Sequence, residues 1–416
     1  MRNTSVRRFC CCFDRILFLL LTCILSTLSA EFATAQTYTV LHEFTGGSDG
    51  ATPAAGLAID AEGRLYGTTT GGGASYGTVF ELKPAGGGWV FTPLYSFLGG
   101  NDGAVPGGGV IFGPNGTLYG VTSAGGGSNF CPAGCGSVYN LRPPPRACSR
   151  VLCPWIEDVI YAFQGGFLDD GRGPIGNLVF DPSGNIFGVT EFGGVHSAGT
   201  VYELMPSNGS WTENALYSFL YSQTDGGFPQ AGMVLEGTNS LYGTTADGGE
   251  YTGGVVFGVT RSGSGWTESL LHSFEPTTDG TLPIGIAADG AGNLYGGTLF
   301  GGPDDAGTVW QLSQSNGNWM FNVIYPNSGD TCGVAGPLTL DTAGNIYGAT
   351  CDRVFELSPS GGGWNYTELH HFTGMDGSSA NGSLILDANG NIYGTTYSGG
   401  GGNCPDGCGV VFEISR

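Results

Sequence analysis

The sequence predicts an all-β chain folded as a seven-bladed β-propeller with four strands per blade, and three observations carry that reading. A five-residue motif, aliphatic-aromatic-Gly-x-Thr, occurs at 65–69, 118–122, 186–190, 241–245, 294–298, 346–350 and 392–396. Its aromatic residues lie 53, 68, 55, 53, 52 and 46 residues apart, a spacing in the range of propeller blades. Between the motifs run short apolar segments broken by turns in a chain with 79 glycines, and no segment sustains a 3.6-residue period.

Taken in order, the chain opens with Arg2, Arg7, Arg8 and Arg15, an apolar run from Ile16 to Leu28, and a small-residue box at Ala33-Thr34-Ala35. This predicts a signal peptide over 1–35 and a single propeller domain over 36–416, with a membrane anchor as the alternative for the leader. No second apolar stretch approaches spanning length. Cleavage would remove four arginines and two acids, leaving nine basic and 33 acidic side chains. Such a surface repels phosphate backbones, so nucleic acid is not an expected partner, whereas cations or neutral polymers suit it.

In the first unit, 56–60 is a short apolar strand and Ala61-Glu62-Gly63 a tight turn, glycine supplying the positive φ. The motif strand follows, then a Gly-rich loop, a third strand from Thr78 to Leu82, and a fourth from Trp89 to Phe97. The same grammar repeats, with fourth strands starting near Trp155, Trp211, Trp266, Trp319 and Trp364. The last unit stops after its third strand, while residues 38–44 match the end of a fourth strand. The N-terminal strand is therefore expected to complete the last blade and close the ring. Unit two inserts residues 142–155 before its fourth strand, with Arg142, Arg146 and Arg150 on a decorated surface loop or a docking loop.

Eight cysteines remain after the leader, an even number that points to disulfides in an exported chain. Local spacing suggests Cys131 with Cys135, Cys148 with Cys153, Cys332 with Cys351 and Cys404 with Cys408. Zinc is the weaker reading of the Cys-Pro-x-Gly-Cys loops, which contain no histidine.

The joining loops carry one Asp per unit: Asp49, Asp102, Asp170, Asp225, Asp279, Asp330 and Asp376. Each either accepts backbone N–H bonds within its own turn or contributes to a carboxylate ring that would bind calcium, the one cofactor considered. The loops after the second strands add Tyr76, Phe130, Phe192, Tyr251, Phe300 and Tyr397. These either cover gaps between blades or stack on sugar rings. The repeated Glu81, Glu203, Glu356 and Glu413, and His42, His272 and His370 at the position of Tyr95 and Tyr217, read as structural. No nucleophile motif or metal-ligand spacing appears, and no catalytic residue is assigned. A single catalytic site would break the repeat symmetry, which makes Glu191, Asp304 and Asp305 the acids to watch.

Written out as Tyr-Ser-Phe, Asp-Gly, Asp-x-x-Gly-Asn-(Leu/Ile)-Tyr-Gly-Thr-Thr and Gly-Thr-Val-Phe-Glu-Leu, the unit resembles the GloVer tandem repeat of bacterial exported choice-of-anchor proteins. The resemblance covers nearly all of 37–416. It implies an exported, surface-type protein and transfers no activity or catalytic residues. Members often end in a C-terminal anchor; this sequence ends at Arg416 without one, which leaves secreted, periplasmic and cell-surface locations open. Residues 283–295 are also similar to NHL-type propeller repeats, which suggests that the first strand is innermost, although sequence alone allows the other phase. The expected function is an extracellular binding or surface-interaction module, a monomer, with a glycan or a protein as partner. The rival is a hydrolase or lyase acting on a polysaccharide or lactone at the ring mouth.

Overall fold

The computed structural model describes residues 36–145, 155–166, 170–263, 265–328 and 332–416. Within Thr37–Ser415 the chain forms seven antiparallel four-stranded blades, with no helix among the described residues, as the repeat predicts. Blade one is Ala58–Ile59, Leu65–Thr69, Thr78–Ala85 and Gly88–Ser96, hydrogen-bonded in that order. In blades two and four the innermost strand is split, with Gly103–Pro106 and Gly226–Gly227 pairing separately from Ile111–Phe112 and Val234–Glu236.

Each residue of the motif has a local reason to be there. The preceding Asp-x-x-Gly-Asn turn is held by its aspartate: Asp289 Oδ1 accepts the Ala291 and Asn293 amides at 2.9 Å. Its other oxygen accepts from the Asn293 amide group at 2.8 Å and the Tyr295 hydroxyl at 3.2 Å. Asp341 and Asp387 repeat that network around Tyr347 and Tyr393. The tyrosines also reach the third-strand glutamates, with Tyr66 on Glu81, Tyr347 on Glu356 and Tyr393 on Glu413 at 3.2–3.3 Å. The motif glycine clears space for the third-strand aromatic. A Cβ on Gly67 would lie 2.5 Å from Phe80 Cζ, and one on Gly296 2.3 Å from Trp310 Cζ2. The closing threonine pairs with the hydroxyl that opens the third strand, as in Thr69 with Thr78 and Thr190 with Thr200, both at 2.8 Å.

Ring closure is as the sequence predicts. Thr37–Glu43 pairs antiparallel with Val410–Ser415 as the fourth strand of the last blade. Phe44 is fully buried against Phe80 and Phe91 of blade one, at ring-centroid distances of 5.3 and 5.8 Å.

Sequence reading missed a bulge in the fourth strands. Register slips by one residue between Tyr95 and Pro93, leaving Leu94 unpaired, and the slip recurs at the corresponding place in every blade. A bulge re-aims the residue that follows it. Here that residue is the repeated Tyr or His, which in the six blades whose joining-loop Asp is described faces that Asp, and which meets the next blade. His42 stacks on Phe91, His272 on Phe321, Tyr325 on Tyr366 and His370 on Tyr38, with centroids 3.6–4.9 Å apart. At the other three interfaces Tyr95, Tyr161 and Tyr217 sit close enough to Glu157, Glu213 and Glu268 to feel their charge.

Candidate functional site

Residues in or just before the first strands of all seven blades surround an axial cavity of about 690 Å³, so the first strand of each blade is innermost. Small residues make this possible. A Cβ on Gly108 would fall 2.2 Å from Gly176 O, and one on Gly176 2.0 Å from the Gly232 amide, so neighbouring blades meet backbone to backbone. The mouth is fixed by a repeated bond between blades. The amides of Thr52, Val105, Gly173, Phe228, Leu282, Gly333 and Ser379, in seven successive joining loops, donate to carbonyls in the preceding blade at 2.7–3.2 Å. The five non-glycine donors, Thr52, Val105, Phe228, Leu282 and Ser379, hold φ of 53–59°, a conformation that costs on the order of 1–3 kcal/mol each.

One repeat position, immediately after the motif threonine, reads Thr70, Ser123, Glu191, Ala246, Leu299, Cys351 and Tyr397 around the ring. Thr70, Ser123, Glu191 and Tyr397 line the cavity, together with Gln230, Asn177 and Asn381. Repeat symmetry is thus lost where side chains face the axis. Glu191 is the one charged side chain among the described lining residues. Burial raises its carboxyl above the ordinary carboxylate value, and it has no hydrogen-bonding or ionic partner among the described residues. Asp304 and Asp305 lie outside this lining; Asp305 instead accepts the Gly301 amide at 3.2 Å in its own loop.

The aspartates of the joining loops lock those loops. Asp102 accepts the Leu98 and Gly103 amides, both at 2.7 Å, and the Tyr95 hydroxyl at 3.1 Å. Asp225 takes the Leu220 amide at 2.6 Å and the Tyr217 hydroxyl at 2.9 Å, and Asp170 the Gln164 amide at 2.6 Å. Asp279 and Asp376 accept the Glu275 and Thr373 amides and face His272 and His370 at 3.0 and 2.9 Å, while Asp49 accepts from Thr45 beside His42. A calcium ring would require these oxygens to surrender their bonds. Among the described residues no three acidic, His or Cys side chains gather at a metal-holding site. Asp330 lies outside the described residues.

The aromatic residues separate into different settings. Tyr397 alone of the six lines the axial cavity. Tyr76 lines a second cavity between blades one and two. Phe192 packs edge-on to Phe228 at 5.8 Å, beneath the Arg172 guanidinium at 5.5 Å, and Phe228 meets the exposed Tyr221 at 5.2 Å. Phe130 lies over the backbone of Gly165. Tyr251 stands exposed on its loop, and Phe300, also exposed, is not in a loop but ends the second strand of blade five opposite Thr281. Sequence reading missed Gln230, Phe228 and Tyr221; the departure of Phe228-Pro229-Gln230 from the Thr52-Pro53-Ala54 pattern was the available signal.

Disulfides join Cys131 to Cys135, Cys332 to Cys351 and Cys404 to Cys408. Cys135, Cys351 and Cys408 supply the carbonyls that hold the next blade, so each bridge braces an interblade bond. Cys148, Cys153, Arg146, Arg150 and the expected leader lie outside the described residues, while Arg142 pairs with Asp158 at 2.7 Å. Among the described residues no helix is long and apolar enough to cross a membrane.

The fold and its mouth define a disulfide-braced seven-bladed propeller with an asymmetric axial cavity. The chain belongs to the Gloeobacter/Verrucomicrobia repeat family, whose model matches residues 30–152 and 132–353. No curated protein matches it in sequence. Among solved structures it is similar to a catalytically inactive virginiamycin B lyase from Staphylococcus aureus with quinupristin, at 12% identity and TM-score 0.56, covering 92% of this chain and 99% of that one. It is also similar to the extracellular domain of a hybrid two-component system from B. thetaiotaomicron, at 14% identity and TM-score 0.55, covering 91% of this chain and 41% of that one. At such identities the likeness shows the propeller fold alone.

Proposed function

We propose that the protein is an exported binding module whose ligand, a glycan, enters the mouth of the axial cavity. The observation that carries this is the half-buried Glu191 carboxylate facing the cavity without a protein partner. Its oxygens, at intermediate burial on the cavity wall, are free to accept from a ligand hydroxyl. Gln230 and Asn381 offer further amide donors and acceptors, Asn177 an amide donor while its Oδ1 accepts the Gly109 amide, and Tyr397, 42% exposed, an amphipathic ring. The disulfides fit an oxidising compartment, and the acidic surface fits a neutral or amino-substituted sugar better than a sulfated or uronic one.

The test is a glycan array probed with the wild-type chain, Glu191→Gln and Tyr397→Ala. Saturable binding to neutral or amino saccharides, reduced in both variants, is the expected outcome. Binding unaffected by either substitution would move the site away from the mouth, and no binding to any saccharide would remove the glycan reading. A second reading, acid catalysis on a polysaccharide or lactone, is favoured by one feature: burial raises the Glu191 carboxyl, so more of it holds a proton to donate near neutral pH than an exposed carboxyl would. Product formation from a bound saccharide, abolished in Glu191→Gln while binding persists, would select it.

A further inference from the structure

The axial cavity is not the end of the open surface at this mouth. A second cavity of about 540 Å³ lies between the loops of blades one and two, and Val105 lines both. The protein carries 35 acidic and 13 basic side chains, yet this second cavity has no charged lining residue. Its polar groups are neutral ones, Asn101, Ser128 and Asn129, with the ring of Tyr76 beside them.

The walls are fixed before any ligand arrives. Gly99, at φ +71°, lies under Tyr76: a Cβ there would come 3.0 Å from the ring, so only glycine lets the ring settle on that backbone. The Tyr76 carbonyl accepts the Val105 amide at 2.9 Å, tying the aromatic loop to the ridge between the two cavities. On the opposite side, Pro132, Ala133 and Gly134 sit inside the small loop closed by Cys131–Cys135. Ser128 Oγ donates to Gln164 O at 2.8 Å, which anchors the same loop to the next blade connection. Tyr76 remains 43% exposed while held in this way. A pinned aromatic beside uncharged amides is a preorganised surface for a ligand with hydroxyl groups and a flat apolar face.

Resting on the glycan reading above, we propose that the binding surface continues from the axial mouth across Val105 into this groove, so that the ligand is a linear, uncharged oligosaccharide chain rather than a single sugar. Glu191 and Tyr397 hold one end and Tyr76 stacks on a later unit. The chain is read by length as well as by composition.

The experiment is calorimetric titration of the full chain with a di- to hexasaccharide series of the best neutral array hit. Wild type, Tyr76→Ala, Tyr76→Phe and Glu191→Gln are compared, with thermal melts confirming that each is folded. Wild-type affinity should rise about tenfold or more along the series, the scale of one good aromatic anchor. Tyr76→Ala should lose that rise while binding the disaccharide as wild type does, Tyr76→Phe should keep it, and Glu191→Gln should weaken every length. Length-independent binding, or an equal loss at all lengths in Tyr76→Ala, would overturn the extended groove and leave the axial site standing. Absence of binding at every length would overturn both.

Discussion

Truncating Phe44 to alanine probes ring closure where the N-terminal strand meets blade one. Phe44 is fully buried, its ring packs on Phe80 and Phe91, and its amide donates to Gly409 O at 3.1 Å. The side chain therefore touches blade one while its backbone belongs to blade seven. Removing a buried phenylalanine costs about 3–5 kcal/mol through lost transfer energy and the cavity left behind. Urea unfolding of Phe44→Ala should show that loss, alongside Val90→Ala, a 52% exposed control expected to stay within about 0.5 kcal/mol of wild type. The equivalent Phe97 and Phe219, also fully buried, set the scale for an internal blade. If Phe44→Ala unfolds like wild type while Phe97→Ala does not, the N-terminal strand does not close the ring.

Other consequences can be measured alongside. Gly67→Ala places a methyl 2.5 Å from Phe80 Cζ and should destabilise by about 1–3 kcal/mol in the same unfolding assay, as overpacking does. Burial, with the Asp225 charge, pushes the Glu268 carboxyl up to about 7. A raised folded-state value means stability that is complete below about pH 4.5 and lost as pH rises through 7. Glu268→Gln should therefore raise the melting temperature at pH 8, by about 1–2 kcal/mol equivalent after solvent screening, and leave it unchanged at pH 4. Burial lowers the values of His42, His272 and His370, so their contribution runs the other way and is lost as pH falls below 6.5. Removing the Cys332–Cys351 bridge, which spans 19 residues, should cost about 3 kcal/mol, measured by melting the Cys332→Ser/Cys351→Ser variant.

The blades were legible because each motif residue answers to a local demand that recurs seven times. Gly67 must admit Phe80, Thr69 must cap its hairpin, and Asp289 must hold its turn, so repetition exposes all of them. Closure was legible for the same reason, as residues 38–44 copy a fourth strand. The bulge at Leu94 was not, because an apolar residue before Tyr or His looks like any strand residue until register is known. The site was only partly legible. Glu191 stood out as an acid that breaks symmetry, but six loop aromatics looked equivalent when they are not: Tyr397 follows its motif threonine directly, while Tyr76 comes seven residues after Thr69. Place in the repeat separates them: Tyr397 occupies the position that also lines the cavity as Thr70, Ser123 and Glu191, and Tyr76 does not.

The most direct test of the axial site is hydrogen–deuterium exchange of the full chain with and without a saturating array hit. Slowed exchange in 175–177, 229–233 and 379–383, with the fourth strands unchanged, is the predicted result. Protection confined to the outer strands, with those axial segments unaffected, would contradict it.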